Sequence, residues 1–200
     1  MVLSVSDKIY KEREVAKANG IPVIRDTSFD LLLTTVVAKG AKRILEVGTA
    51  WGYSGIAMLQ VAPTAHLTGI ELDDLAIKKS KENYKRFGVE DRTTLFCGDA
   101  GEIIPVLTGK YDFIFLDGPK GHYYEYLPYL TEVLEVGGVI FADNIDFQGY
   151  VLGKRTPKNG KHNTIINSMK NYLSAVTTNE NYVTTVLDVE DGVAITVKVK

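Results

Sequence analysis

The sequence predicts an α/β fold in which a doubly wound, mostly parallel seven-stranded sheet carries a C-terminal antiparallel hairpin. Short β-branched or aromatic runs alternate with longer segments whose apolar residues recur at helical spacing, as in parallel strands joined by helices. The last two strand-like runs flank Asp191 and Gly192, and an Asp-Gly pair between alternating runs is a strong hairpin signal. The alternation therefore predicts the parallel part of the sheet, and the Asp-Gly turn predicts its antiparallel end.

The individual elements follow in order along the chain. Two helices are predicted first, over residues 6–18 and 28–38. The five parallel strands are predicted in the segments RILEVG, HLTGIEL, TTLFCG, YDFIFLD and GVIFAD. The intervening helices are predicted in YSGIAMLQVA, DDLAIKKSKENYKRFG, AGEIIPVLTG and HYYEYLPYLTEVLEVGG, with Gly88 and Gly137 as candidate C-caps. A helix over 163–176 precedes the hairpin strands YVTTVLDV and GVAITVKV.

Length and composition favour a single domain over residues 1–200, with N-terminal helices in 1–40 and the sheet with its covering helices in 41–200. No apolar run reaches the roughly 18 residues of a membrane span, and the charged N-terminal segment lacks the apolar core of a signal peptide. The one cysteine, Cys97, cannot form an internal disulfide and is predicted to be a buried strand residue. We therefore expect a reducing, cytoplasmic compartment and no membrane.

Ligands of doubly wound sheets bind beyond the carboxyl ends of the strands, so the residues after each strand form the candidate site. After the first strand, LEVGTAWGYSG contains three glycines that allow close approach of a ligand, although a turn that needs only small residues explains them equally well. Glu71 ends the second strand, where such folds hold ribose hydroxyls with an acid. After the third strand, Asp99 and Ala100 could flank an adenine, and Asp99 could equally be a helix N-cap.

Three oxygen-bearing side chains follow the next two strands. Asp117 closes the fourth strand, and Asp143 and Asn144 close the fifth. Carboxylate and amide oxygens suit Mg²⁺ or Ca²⁺, and two aspartates without a cation would repel each other, so we favour a metal site over a simple strand end. Lys120 lies three residues after Asp117, and the Gly-Pro pair between them forces a turn that can bring both side chains into one mouth.

In this order, the motifs resemble those of the class I S-adenosylmethionine-dependent O-methyltransferases, specifically the metal-dependent catechol and caffeoyl-CoA O-methyltransferase family. The resemblance rests on LEVGTAWGYS, GIELDD, LDGPK and ADN, and it covers nearly the whole chain. ADNIDFQGYV and the basic segment after it are similar to the bacterial branch that methylates 5-hydroxyuridine at the tRNA wobble position. The resemblance implies a Rossmann-like methyltransferase fold and an enzyme that uses S-adenosylmethionine and Mg²⁺ or another divalent cation.

The resemblance also implies roles for individual residues. By motif, the cofactor contacts are Glu46, Gly48, Ser54, Glu71, Ala100 and Asp117. The implied metal ligands are Asp117, Asp143 and Asn144, and Lys120 takes the position of the catalytic lysine. Gly118 and Pro119 stand where the catechol enzyme has bulky groups, so we expect the mouth to admit a larger acceptor than catechol.

The segment LGKRTPKNGKHN is expected to decide the acceptor. Its four cations, with no acid between them, could contact phosphates of a tRNA anticodon loop or could form a solvated loop; they are Lys154, Arg155, Lys158 and Lys161. Because the net charge of the chain is -2, only such a local patch fits a nucleic-acid partner.

Several aromatic residues are candidates for stacking on an unpaired wobble base. These are Trp51, Tyr123 and Tyr150, which could equally form core or dimer contacts. His122 is expected to be structural rather than a metal ligand, because the oxygen ligands already complete the set.

The leading prediction is an O-methyltransferase that modifies 5-hydroxyuridine in tRNA. The alternatives are an O-methyltransferase for small catechol-like or phenolic acceptors, and a non-catalytic nucleotide-binding or RNA-binding module. The module is disfavoured because binding alone needs no lysine beside a metal site, and a dehydrogenase is disfavoured because GxGxxG is missing. The first helix and the YLPYL surface could pair two subunits, and a homodimer is expected.

Overall fold

Seven strands form one sheet in the computed structural model, which describes residues 6–160 and 162–200. The strands are β1 (Arg43–Val47), β2 (His66–Glu71), β3 (Thr93–Cys97), β4 (Tyr111–Leu116), β5 (Leu134–Asp143), β6 (Tyr182–Leu187) and β7 (Val193–Lys198). Their order is β3-β2-β1-β4-β5-β7-β6. The first five strands run parallel, and β7 is antiparallel to both β5 and β6. The predicted fold class is confirmed.

Helices cover both faces of this sheet. They are α1 (Asp7–Ala18), α2 (Asp26–Lys39), α3 (Tyr53–Val61), α4 (Asp74–Arg86), α5 (Ala100–Ile103), α6 (Tyr123–Val133) and α7 (Asn163–Thr178). One apolar cluster joins α1, α2 and α3 to one face through residues such as Phe29, Ile56 and Phe141. A second cluster joins α6 and α7 to the other face through Leu130 and Tyr172. Central strands buried on both faces explain why β4 and β5 read as nearly continuous apolar runs.

The strand order places the predicted crevice between β1 and β4. The chain builds outward from β1 to β2 and β3, then returns to place β4 on the other side of β1. At such a reversal the following loops diverge and leave space beyond the carboxyl ends of the strands. The fold therefore directs the residues that follow β1 to β5 into one region.

The loop between β6 and β7 is hydrogen-bonded to the residues that follow β5 at the carboxyl-end edge of the sheet. The backbone N–H of Ile145 donates to Gly192 O at 3.1 Å, and that of Asp146 donates to Asp191 O at 2.8 Å. Gly192 has φ 82°, and a Cβ there would lie 2.8 Å from Ile145 Cδ1, so this close approach requires glycine. The hairpin turn thus fixes the chain immediately after the end of β5.

Three local predictions need correction or completion. Gly137 does not cap α6, because the helix ends at Val133 and β5 begins at once with the fully buried Leu134. The helix predicted in AGEIIPVLTG ends at Ile103 and passes into a short 3-10 turn, because Pro105 has no N–H to continue the helical hydrogen bonds. Gly88 does follow the C-cap of α4 in the left-handed conformation, as predicted, with φ 65°.

The prediction that Cys97 is buried is wrong. β3 is an edge strand, so Cys97 is exposed, and its Sγ lies 2.7 Å from Asp74 Oδ1. Over the residues that the structure describes, no helix is both long and apolar enough to cross a membrane.

Candidate active site

A cavity of about 590 Å³ lies at the carboxyl ends of β1 to β5, and we call it the active-site cavity. Its wall includes a residue at or just after the end of each strand, namely Gly48, Glu71, Ala100, Asp117 and Asn144. Residues 22–25, which link α1 to α2 and which we call the strap, also line it. The structure therefore brings together most of the side chains that the sequence placed at strand ends.

Asp117 and Lys120 meet in this cavity. Lys120 Nζ donates a hydrogen bond of 2.9 Å to Asp117 Oδ1, and the turn through Gly118 and Pro119 allows it. Burial raises the pKa of the Asp117 carboxyl group, and the Lys120 ammonium group opposes that rise. The two side chains form one partly exposed acid–amine pair facing the cavity.

Asp143 and Asn144 stand beside this pair at the end of β5. The Asp143 side chain belongs to a residue only 1% exposed, and neither carboxylate oxygen has a hydrogen-bond partner in the described part of the chain. Desolvation, and then the negative charge of Asp117, raise the pKa of Asp143 to about 7, and the Asn144 N–H, the Lys120 charge and the Ser28 hydroxyl only partly oppose this rise. Asn144 takes a left-handed conformation with φ 57°, which asparagine tolerates well, and it lines the cavity.

These residues fit a hard divalent cation. A buried carboxylate without partners is costly when ionised, and a bound metal ion removes that cost. Within residues 6–160 and 162–200, no group of three or more His, Cys, Asp or Glu side chains is arranged to hold a metal. The candidate set therefore has two carboxylates and depends on the amide oxygen of Asn144. These oxygen donors suit Mg²⁺ or Ca²⁺, and three of them leave about three positions of an octahedral ion for other ligands.

Glu71 ties the end of β2 to the loop after β1. Its Oε2 accepts a hydrogen bond from the Ala50 N–H at 2.8 Å, and its Oε1 accepts from the N–H groups of Leu72 and Asp73 at 2.8 and 3.0 Å. A carboxylate offers about four acceptor positions, so part of its capacity remains for a ligand. Glu71 thus holds its own surroundings in place while facing the active-site cavity.

Asp99 and Ala100 line the same cavity beyond β3. Asp99 Oδ1 accepts a hydrogen bond of 2.7 Å from the Gly101 N–H, so the N-cap interpretation is correct. This cap also fixes the backbone next to Ala100, and the other interpretation, in which these two residues flank an adenine, stays a prediction.

Ser54 and Glu46 form a buried pair behind the cavity. Ser54 Oγ donates to Glu46 Oε1 at 2.5 Å, and Glu46 is fully buried. Desolvation is the main reason that the pKa of Glu46 is raised to about 8. Ser54 lines a small cleft next to the active-site cavity together with Gly48 and Asp117, whereas Glu46 lines neither space. The geometry therefore gives Glu46 the role of positioning Ser54.

Gly48 is required by the close approach of β1 and β4. It has φ 95°, and a Cβ there would lie 2.5 Å from the backbone oxygen of Asp117. Any side chain at this position would push apart the two strand ends that frame the crevice.

Sequence reasoning missed the strap and its anchor, Arg13 of α1. Arg13 is 1% exposed, its Nη2 donates to Ile24 O at 2.5 Å, and the same atom lies 3.2 Å from Asp26 Oδ1. A signal was present, because Arg13 follows Ile9 and precedes Ala16 at the spacing of one helical face, where a cation is unexpected. Arg13 thereby holds the strap over the active-site cavity.

Lys154, one of the four candidate phosphate contacts, has partners within the chain. It forms ion pairs with Asp146, at 2.8 Å, and with Asp188. The segment itself has no acid, but the fold supplies two from the loop after β5 and from the hairpin loop. Lys161 lies outside the described residues. Arg155 and Lys158 instead line a separate cavity of about 430 Å³, which we call the aromatic cavity.

The aromatic candidates divide between core and surface. Tyr123 is fully buried and its hydroxyl donates to Leu116 O at 2.9 Å, so the core contact is the correct one of its two alternatives. Trp51 packs partly buried against the core and lines the small cleft rather than the active-site cavity. Tyr150 lines the aromatic cavity and packs near His162, with ring centroids 6.3 Å apart. His122 lies outside the predicted metal set, and its Nδ1 is 2.7 Å from Glu125 Oε2.

Comparison with known proteins decides the family. A family model described as O-methyltransferase matches residues 10–199, which is nearly the whole chain. The chain belongs to the O-methyltransferase family. The matched region contains every strand of the sheet and every residue described above in the active-site cavity.

Individual members of the family show how similar the chain is to them. It is 34% identical over 121 residues to a catechol O-methyltransferase from Niastella koreensis, covering 58% of this chain and 55% of that protein. It is 32% identical over 117 residues to a caffeoyl-CoA O-methyltransferase from Stellaria longipes, covering 55% and 48%. The chain spans about half the length of the curated relatives it matches.

Solved structures agree on the fold over almost the full length. A Staphylococcus aureus protein described as a caffeoyl-CoA O-methyltransferase superposes with a TM-score of 0.86 at 28% identity, covering 96% of this chain and 93% of that one. An O-methyltransferase from Bacillus cereus, solved in complex with SAH, superposes with a TM-score of 0.84 at 23% identity, covering 98% and 93%. The second likeness concerns the fold alone.

Proposed function

We propose that this protein transfers the methyl group of S-adenosylmethionine to a hydroxyl oxygen with the help of Mg²⁺ or another divalent cation. The observation that carries the proposal is the buried, unpartnered carboxylate of Asp143 beside the Asp117–Lys120 pair. If this residue only ended the strand, nothing would offset the free-energy cost of burying its ionised carboxylate without a partner. Membership of the O-methyltransferase family supports the reaction class.

The cofactor would occupy the β1 to β3 side of the active-site cavity. Glu71 has acceptor capacity for the ribose hydroxyls, and Ala100 borders the space for the adenine. Ser54, Gly48 and Asp117 border the small cleft, where the methionine end would lie. Gly48 and Asp117 line both the small cleft and the active-site cavity, so a single elongated cofactor can contact residues of both.

Asp117, Asp143 and Asn144 would hold the divalent cation at the β4 and β5 side. Bound there, the cation supplies positive charge that lowers the pKa of an acceptor hydroxyl and favours two adjacent acceptor oxygens. Lys120 lies within the same cavity and is the amine closest to Asp117, so its Nζ is placed to hold or receive the acceptor proton.

The chain's own contribution to the rate is alignment. Methyl transfer requires the acceptor oxygen, the methyl carbon and the sulfur to lie in line, and a well-oriented site can supply a large part of the rate enhancement. The strap lines the cavity, and Arg13 fixes it through the Ile24 carbonyl. A fixed wall of this kind limits the orientations that a bound acceptor can take.

For the acceptor, we propose 5-hydroxyuridine at the wobble position of tRNA. Its O5 hydroxyl and O4 carbonyl are adjacent oxygens, as a cation at Asp117 and Asp143 requires. Gly118 and Pro119 leave the rim between Asp117 and Lys120 free of long side chains. The aromatic cavity nearby combines Arg155 with an aromatic wall, which suits nucleic acid.

A small catechol is the second candidate. Catechol also presents two adjacent oxygens, and the catechol O-methyltransferase from Niastella koreensis is a 34% identical relative. A non-catalytic nucleotide-binding or RNA-binding module is the remaining candidate. Binding alone does not explain why Lys120 lies beside the carboxylates.

The test is methyl transfer from labelled S-adenosylmethionine to two acceptors, tRNA that carries 5-hydroxyuridine and catechol, each with Mg²⁺. Label in the tRNA alone is the expected result, and matched tRNA with unmodified uridine is the control. Label in catechol alone would replace the tRNA proposal with the small-molecule one. Label in neither acceptor would contradict both and favour the binding module.

A further inference from the structure

We propose that Arg25 and Arg155 form an anion-binding subsite beside the active-site cavity, and that this subsite takes a phosphate group of the acceptor. The inference deepens the proposed function and rests on it for the identity of the acceptor. Arg25 belongs to the strap and Arg155 to the loop after β5, so two separate parts of the chain supply the two guanidinium groups.

The subsite is a cavity of about 340 Å³, which we call the side cavity, and it is continuous with the site already described. Arg25, Gln148 and Asp191 line both the side cavity and the active-site cavity. Arg155 lines both the side cavity and the aromatic cavity. An acceptor whose hydroxyl lies in the active-site cavity can therefore extend past Arg25 to Arg155.

The carboxylates that line the side cavity already have hydrogen-bond or ion-pair partners within the chain. Asp146 pairs with Lys154 at 2.8 Å, and Asp191 accepts the Gln148 N–H at 2.6 Å. Glu190 accepts two backbone N–H groups at the start of α2, both at 3.1 Å. None of these carboxylates is paired with an arginine of the cavity.

The two arginines, in contrast, keep their donors available. In the described part of the chain, neither Arg25 nor Arg155 forms an ion pair or a side-chain hydrogen bond, although Asp146, Glu190 and Asp191 line the same cavity. Lys154, which also lines this cavity, forms the ion pairs with Asp146 and Asp188 instead. The wall thus presents acids that have partners within the chain and two exposed guanidinium groups that have none in its described part.

Backbone hydrogen bonds fix the main-chain positions from which both arginine side chains extend. The Arg155 N–H donates to Gly149 O at 2.7 Å, and a Cβ on Gly149 would lie 3.4 Å from Arg155 Cγ, so the arginine stem lies against this glycine. The Phe29 N–H donates to Arg25 O at 2.8 Å, which fixes the backbone of Arg25 at the start of α2. Less conformational freedom is then lost when the guanidinium groups bind a ligand.

Phosphate is the anion that fits two arginines best. Each guanidinium group offers a planar fork of donors, and a phosphate has enough terminal oxygens to accept from two forks at once. A carboxylate has two oxygens and is satisfied by one fork. The aromatic cavity beyond Arg155, with Tyr150, His162 and Lys158, gives the next part of a phosphate-linked acceptor an aromatic wall.

The experiment compares the affinity of the full chain for 5-hydroxyuridine 5′-monophosphate and for the unphosphorylated nucleoside by calorimetry, with Mg²⁺ present. Wild-type protein should bind the monophosphate about tenfold more tightly, and the ratio should fall toward one in the double variant Arg25→Gln and Arg155→Gln. Lys170→Gln, which removes an exposed cation of α7 that lines none of these cavities, should keep the wild-type ratio.

A ratio near one in the wild type, or a ratio that survives in the double variant, would overturn the subsite. A second pair of probes, 3,4-dihydroxybenzoate and catechol, tests the anion. A stronger, arginine-dependent preference for the carboxylate would overturn the assignment to phosphate. Because binding needs no turnover, a wild-type preference for the monophosphate that the double variant loses would keep the subsite even if neither acceptor is methylated, and only the proposed function would then be refuted. Normal methyl transfer with a ratio of one would refute the subsite alone.

Discussion

Lys120 Nζ and Asp117 Oδ1 lie 2.9 Å apart across a Gly-Pro turn at the end of β4, and both side chains face the active-site cavity. This pair connects the proposed binding sites for the cofactor and the cation with the proposed site for the acceptor. Asp117 lines both the small cleft and the active-site cavity, where we propose the cofactor and the cation, and Lys120 lines the active-site cavity, where we propose the acceptor. Changes at these two positions should therefore affect different steps.

Replacing Lys120 should impair the chemical step more than binding. Lys120→Met should lower kcat by about 10²- to 10⁴-fold, because the acceptor proton loses its nearby amine, while KM for S-adenosylmethionine changes little. Lys120→Arg should be similarly inactive, since arginine keeps the ion pair with Asp117 but does not give up its proton. Steady-state kinetics on the acceptor that is methylated provide the measurement. Near-normal kcat in Lys120→Arg would show that only the positive charge matters.

Replacing Asp143 should separate stability from metal binding. Asp143→Asn removes a buried charge that has no partner, so the variant should be more stable than wild type by about 1 kcal/mol in EDTA at pH 8. Wild type should gain thermal stability when Mg²⁺ is added, because a ligand that binds only the folded state stabilises it, and the variant should not. Thermal unfolding with EDTA and with Mg²⁺ measures both effects. An equal Mg²⁺-induced shift in both proteins would contradict the ligand role of Asp143.

Glu71 should govern affinity for the cofactor. Glu71→Gln keeps the size of the side chain but replaces one acceptor oxygen with a donor, so the affinity for S-adenosylmethionine should fall by about tenfold or more. Glu82→Gln, at an exposed acid on α4, is the matched control and should bind as wild type does. Calorimetric titration with the cofactor checks this. Unchanged affinity in Glu71→Gln would place the ribose elsewhere.

Glu46 should give the protein a characteristic dependence of stability on pH. The pKa of Glu46 is raised from 4.5 to about 8 in the folded state, chiefly by desolvation. Between these two values the unfolded chain releases a proton that the folded chain keeps, so this group lowers the free energy of unfolding by about 1.4 kcal/mol per pH unit as the pH rises. Glu46→Gln should lack that component. Urea unfolding of both proteins from pH 5 to pH 8 tests it, and parallel curves would contradict it.

The central site was predictable because its residues follow strands. Glu71, Asp117, Asp143 and Asn144 each end or follow an apolar run, and parallel strands bring such positions to one edge whatever the lengths of the intervening helices. The hairpin was equally local, since Gly192 and its neighbours carry the turn signal within a few residues.

Other features depended on contacts between distant segments. The burial of Cys97 was predicted wrongly because an apolar run does not reveal whether its strand is central or at the edge. The pairing of Lys154 with Asp146 and Asp188 joins residues from different loops, so the composition of the basic segment gave no sign of it. For Arg13, the helical spacing indicated an unexpected cation on the buried face, but its partner, the Ile24 carbonyl of the strap, could not be inferred from that spacing.

The central claim is that Asp117, Asp143 and Asn144 make methyl transfer depend on a divalent cation. The most direct test is the initial rate of transfer from S-adenosylmethionine during titration of Mg²⁺ into EDTA-treated wild type and Asp143→Asn, with the acceptor that wild type methylates. We predict a background rate without the cation, a saturating rise in wild type, and no rise in the variant over the same range. A full rate in EDTA, or an equal response to Mg²⁺ in both proteins, would contradict the account.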